Sequence, residues 1–142
     1  MQTPKTLVVT AMMFVAFAGL SVAHAQTGAS AKVDVPFAFS VDGTGLSAGS
    51  YTVTQLQSGV VAFTAADGEV HKLALTRRED LGNHNGQPNL VFTRYESEAF
   101  LDRIFLTGDS DCNQLLPTSR EKELRKRGAS GEEFALLMPA VN

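Results

Sequence analysis

Three oxygen-bearing side chains stand at alternate positions in Asp109-x-Asp111-x-Asn113, the most reactive stretch of the chain. A calcium loop begins this way, because successive carboxylates and amides curl around a hard cation. The complete loop also needs Gly at its sixth position and Glu at its twelfth. Here those positions hold Gln114 and Arg120. The better reading is a solvated Asp/Asn turn between a strand and a helix. Asp109, Asp111 and Asn113 remain the metal candidates of the alternative reading, a calcium-stabilised adhesion module. No cofactor is expected.

Gly108-Asp109-Ser110 resembles the Gly-Asp-Ser of some secreted esterases. A serine nucleophile needs a base within reach. Beyond the N-terminal leader the histidines are His71 and His84, and no acid–histidine pair stands at that family's spacing. A turn serine is the simpler reading, and a small hydrolase using Ser110 with Asp109 and a histidine is the alternative. Cys112 is the single cysteine. Its acidic neighbours oppose the thiolate, the reactive form, so a free or intermolecularly paired cysteine is expected instead of a catalytic one. Arg94, Asp102 and Arg103 are charges set in otherwise apolar segments. They make a small polar binding site, or they snorkel and pair at a sheet rim.

Five basic residues crowd Arg120 to Arg127. On a helix, at about 100° per residue, they go round the axis and form no stripe. Glu121 and Glu123 interrupt them and can pair with Arg125 and Arg127. A nucleic-acid helix presents one basic face. This one reads as a solvated surface helix held by Leu124 and the preceding Leu115-Leu116.

The elements that must position these residues follow from period and punctuation. Val33, Val35, Phe37, Phe39 and Val41 alternate with other residues, the mark of a half-buried strand, and Pro36 places it at an edge. Asp42 to Gly45 turns the chain, and Tyr51 to Gln57 is a second strand. Val60 to Ala65 and Glu69 to Arg77 form a hairpin on Asp67-Gly68. Leu81 to Asn89 is a loop by composition. Leu90 to Tyr95 and Phe100 to Leu106 form a further hairpin about residues 96–99, with Tyr95 facing Phe100. Large apolar residues on both its faces make it central and covered on both sides. Thr118 and Glu121 fit a capping box and Gly128 a helix stop, giving one helix over 118–127. A linker at 128–133 leads to the apolar segment 134–142, in which Phe134 to Met138 fold back to pair with a strand edge or to pack on the hydrophobic hairpin of Phe92 and Phe105. The fold class is all-β: a small antiparallel sandwich or barrel of about six to seven strands with one short charged helix.

The chain has 142 residues and a formal charge of −3. Lys5, the uncharged apolar run Leu7 to Val22 and the small-x-small site Ala23-His24-Ala25 have the layout of a signal peptide over 1–25. The secreted domain is then a single unit over 26–142, with no transmembrane segment after cleavage. Losing Lys5 makes it one unit more negative, which argues against nucleic acid as a partner.

Val35-Pro36-Phe37-x-Phe39-x-Val41, Leu46-x-Ala48-Gly49-x-Tyr51-x-Val53, Leu90-Val91-Phe92-x-Arg94-Tyr95 with Phe100-Leu101, and Leu116-Pro117-x-Ser119 running into Glu121-x-Glu123-Leu124 occur in that order. Together they resemble a family of small secreted bacterial proteins of unknown function. The resemblance spans nearly all of 26–142, departs from the family's usual Pro at Ser47, and brings no catalytic residues. It implies secretion and a compact β domain. The expected role is that of a secreted or periplasmic non-catalytic domain with a binding or structural function. Its partner is a ligand or an envelope component, and a homodimer through Cys112 or residues 134–138 is open to it.

Overall fold

The computed structural model describes residues 28–81, 86–107 and 111–139. The segment 1–25 expected as a signal peptide, His84, Asp109 and Ser110 lie outside the described residues. The chain is an all-β sandwich with one helix, and no closed barrel forms among the described residues.

One layer is a four-stranded antiparallel sheet in the order β1, β4, β5, β6, formed by Ser30–Val35, Gly49–Gln57, Val60–Ala65 and Val70–Leu75. The other contains seven strands. β11 (Gly131–Leu137), β8 (Asn89–Tyr95), β9 (Glu98–Phe105), β10 (Asp111–Gln114) and β7 (Arg77–Asp80) lie side by side in that order. The short hairpin of β2 (Phe39–Val41) and β3 (Thr44–Leu46) joins β9 through a single parallel bridge, Ser40 to Phe100. Between the layers lie Val33, Val35, Phe39, Val53, Val61, Phe63, Leu90, Phe92, Leu101 and Ile104, all buried.

Among the described residues the expected six to seven strands become eleven, because the chain changes sheets twice in mid-run and two segments expected as turns, 44–46 and 111–114, are short strands. Val33 to Val41 is two strands. Pro36 has no N–H to continue a ladder, and the chain crosses there from β1 to β2. The same thing happens at Thr76. Its N–H still donates to Gly59 O of the first sheet at 2.9 Å, and Arg77 already pairs with Gln114 of the second. Residues 111–114, expected as a turn, are strand β10. Cys112 is drawn into an apolar cluster with Val91 and Phe105, and both edges of the segment find partners in β7 and β9.

The β8–β9 hairpin is central and apolar on both faces, as its sequence requires. Its inner face joins the main core, and its outer face packs Tyr95 and Phe100 against Leu124 of the helix. The register differs from the expected one. The turn is only Glu96-Ser97, with Glu96 at φ +55°, so Tyr95 faces Glu98 and Phe92 faces Leu101. A bulge then follows. Val91 faces Arg103, and Asp102 is left over.

The helix α1 spans Ser119–Lys126. Thr118 and Glu121 form the capping box, with Thr118 N–H to Glu121 Oε2 at 2.7 Å and Glu121 N–H to Thr118 Oγ1 at 3.2 Å. Gly128, at φ +83°, ends the helix in the left-handed conformation that glycine tolerates. The linker is shorter than the predicted 128–133, since β11 starts at Gly131. A Cβ there would stand 2.8 Å from the Tyr95 ring and 2.9 Å from Thr93 Cγ2, so the close approach of β11 to β8 requires glycine. β11 lays Phe134 on Phe92, with ring centroids 5.5 Å apart and planes 17° from parallel.

Candidate functional site

A bulge in an antiparallel strand turns two consecutive side chains to one side. Leu101 and Ile104 point into the core while Phe100 and Phe105 belong to outer clusters, so Asp102 and Arg103 both face outward. Arg103 Nε lies 3.3 Å from Asp102 Oδ2, and its Nη2 lies 2.5 Å from Glu133 Oε1 of β11. The bulged Asp102 also spends its carbonyl, which accepts Leu115 N–H at 2.8 Å. Burial raises the Asp102 carboxyl above its usual range, against the pull of Arg103. For Arg103, burial works against the charge, and Glu133 and Asp102 more than offset it, so the guanidinium is held above its ordinary value. Arg94 stays apart, with its guanidinium 4.7 Å from the Phe134 ring centroid and 5.7 Å from that of Phe37. Of the three predicted binding residues the structure therefore unites Asp102 and Arg103 and separates Arg94. Glu133, two positions beyond a glycine, gave no sign of its role in the sequence.

Asp111 and Asn113 sit two apart on β10, already engaged. Asp111 pairs with Arg78, and Asn113 Oδ1 lies 3.3 Å from Thr76 Oγ1. Extended backbone spaces such side chains roughly 7 Å apart along a line, without curling them around an ion. Among the described residues, no three His, Cys, Asp or Glu side chains gather as a metal site requires. His71 lies on β6 of the four-stranded sheet, 3.8 Å from Asp67 and edge-on to Tyr51. Cys112 is buried, and burial, then Glu79, Asp102 and Asp111, push its thiol upward, with Arg103 pulling the other way. Among the described residues no helix is long and apolar enough to cross a membrane.

A large concavity lies elsewhere, between the β2–β3 hairpin, the tip of β8–β9 and the start of α1. It is an open groove of about 800 Å³. Asp42 (φ +47°) and Gly43 (φ +79°) make the tight turn of the β2–β3 hairpin, and both positive angles suit such turns. Lys72 pins that turn from the other sheet, with Nζ 3.3 Å from Asp42 O. The groove's floor is apolar, from Phe39, Leu46 and Phe100. Its rim is ionic. Arg120, at the first turn of α1, donates from Nη2 to Glu98 Oε1 at 2.5 Å and from Nε to both Glu98 oxygens at 3.1 and 3.2 Å. The Arg120 hydrogen bond holds the Glu98 carboxyl below its usual range. Ser97, Ser119 and Lys122 add further polar groups. The groove thus sets a donor–acceptor pair at the edge of apolar side chains, a combination found in ligand sites.

The basic residues of α1 are dispersed as their spacing requires. Glu123 pairs with Arg127 as well as Arg120, whereas Glu121 is spent on the cap and Arg125 donates to Tyr95 Oη at 2.7 Å. No family model matches the chain, and the searches of curated proteins and of solved structures give no match.

Proposed function

We propose that this chain is a secreted or periplasmic, non-catalytic β-sandwich domain that binds a ligand or envelope partner in the groove between β2–β3, the β8–β9 tip and α1. The observation that carries this reading is the pairing of an apolar floor, Phe39, Leu46 and Phe100, with the exposed Glu98–Arg120 ion pair on one wall. The groove is built from segments far apart in sequence, and four devices hold it: the Asp42-Gly43 turn, the Lys72 tether, the Ser40–Phe100 bridge and the capping box. A site held this rigidly loses little entropy on binding. The signal-peptide layout and the family resemblance support secretion. Photo-crosslinking in the native envelope tests the reading. A crosslinker at Ser97 should yield one discrete adduct, weakened by Arg120→Ala, and one at Gln57 on the far sheet should yield none. Equal labelling from both positions would refute the groove.

A further inference from the structure

The outward face of the four-stranded sheet is divided along its strands. At one end stand Leu56, Leu73 and Leu75, all exposed. At the other the side chains are polar, and the strand register sets them in a grid. Lys32 faces Thr52 and Thr52 faces Thr64 in one row, and Asp34 faces Ser50 in the next. Cross-strand partners share a face of the sheet, with rows roughly 7 Å apart along the strands and neighbours about 4.8 Å apart across them. The grid is the floor of a concavity of about 660 Å³, separate from the groove, which Ala66 and Gly68 of the β5–β6 turn and Pro139 beyond β11 help to line. Its polar groups are largely unspent. One row further on, Ser30 and Thr54 satisfy each other, with their hydroxyls 3.1 Å apart. Within the concavity Ser50 Oγ donates to Asp34 Oδ1. The hydroxyls of Thr52 and Thr64 and the Lys32 ammonium make no hydrogen bond or ion pair among the described residues.

We propose that this concavity binds a neutral carbohydrate. The chemistry of the lining selects that class over the others. Its one carboxylate and one ammonium leave no net charge to favour a phosphate or another ion. Its apolar part, Ala65, Ala66 and Pro139, is too small to hold an acyl chain. Tyr51 borders it, but its ring is buried edge-on to Phe39 and its hydroxyl is spent on Ser47 O at 2.6 Å, so an aromatic ligand finds no ring to stack on. β4 and β5 are paired on both sides, so a peptide strand finds no free ladder over this floor. What the floor offers is hydroxyls, each both donor and acceptor, beside one fixed acceptor and one fixed donor. A pyranose presents the same mixture, on a ring whose C–H face is mildly apolar. Bound there, it donates to the second oxygen of Asp34, accepts from Lys32, exchanges hydrogen bonds with Thr52 and Thr64, and rests its C–H groups on Ala66 and Pro139.

Saturation-transfer NMR and calorimetry of the full chain with neutral tetrasaccharides of glucose, mannose and N-acetylglucosamine test this. At least one should bind, with a dissociation constant on the order of 1 mM or below. Thr52→Val keeps the shape and the strand preference and removes one hydroxyl, and Asp34→Asn removes the fixed acceptor's charge. Each should weaken binding roughly tenfold without changing the circular dichroism spectrum. Should Thr52→Val fail to fold, Thr64→Val gives the same reading. Arg120→Ala in the groove and Leu75→Thr at the apolar end of the sheet should leave the affinity unchanged, which keeps this site distinct from the groove. Failure of all three glycans to bind overturns the proposal. So does binding that survives the Thr52 and Asp34 substitutions, that Arg120→Ala removes, or that added salt abolishes.

Discussion

Phe134 of the last strand lies flat on Phe92 of the central hairpin, centroids 5.5 Å apart, and the two are direct partners in the β11–β8 register. The carboxy-terminal segment therefore belongs to the core of the same chain. Phe92 is fully buried and Phe134 partly so. Phe92→Ala should cost about 3–5 kcal/mol and Phe134→Ala less, roughly 2–3 kcal/mol, because part of its surface is already wet. Urea denaturation checks the order. Truncation after Gly131 should lower the melting temperature of the monomer, and an unchanged value would show that β11 contributes nothing.

The helix is fixed at one end by its cap and in its middle by a single apolar anchor. Thr118→Ala should destabilise the protein by about 1 kcal/mol through loss of the cap. Leu124→Ala, which empties a fully buried position against Tyr95 and Phe100, should cost roughly 2–5 kcal/mol. Equal effects of the two substitutions in a denaturant titration would mean that Leu124 does not anchor α1.

Asp102 gives a pH signature of a definite sign. Its carboxyl is raised in the folded protein by burial, so ionising it costs more in the folded than in the unfolded chain. Its contribution to stability is therefore greatest below the ordinary value of 3.8 and is lost as pH rises through the raised one. Asp102→Asn should remove this slope, and the variant should gain on the wild type as pH increases from about 3 to 7. Glu98 and Glu123 act in the opposite direction. They are held low by Arg120 and Arg127, and their contribution is lost as pH falls below 4.5. A wild type minus Asp102→Asn difference that grows with pH would contradict the assignment.

Cys112 should be silent toward a thiol reagent in the native protein. It is 1% exposed, and the largest influence on its thiol is burial, which disfavours the thiolate. Labelling at pH 7 should proceed at the rate of unfolding and become immediate in denaturant. Rapid native labelling would show that the Val91–Phe105 cluster opens.

The fold class was legible because the apolar period is two along most of the described chain and turn residues punctuate it at Asp42-Gly43 and Asp67-Gly68. The helix was legible from Thr118, Glu121 and Gly128, since caps are local chemistry. The hairpin register was not. Glu96 adopts a positive φ without the glycine or asparagine that announces such a turn, and the bulge at Asp102 offsets the pairing once more. Its trace in the sequence is the pair Asp102-Arg103, two consecutive polar residues that interrupt the alternation. The groove was not legible either. Glu98 and Arg120 are 22 positions apart, and the Ser40–Phe100 bridge that brings their walls together is a long-range parallel contact with no local signal.

The most direct measurement of the binding claim is an amide NMR titration of the isotope-labelled protein with solubilised material from its native envelope. The account predicts shift changes clustered at Ser40, at Ser97 to Phe100 and at Ser119 to Lys122, and much reduced by Arg120→Ala. Changes confined to the far sheet, or unaffected by Arg120→Ala, would contradict it.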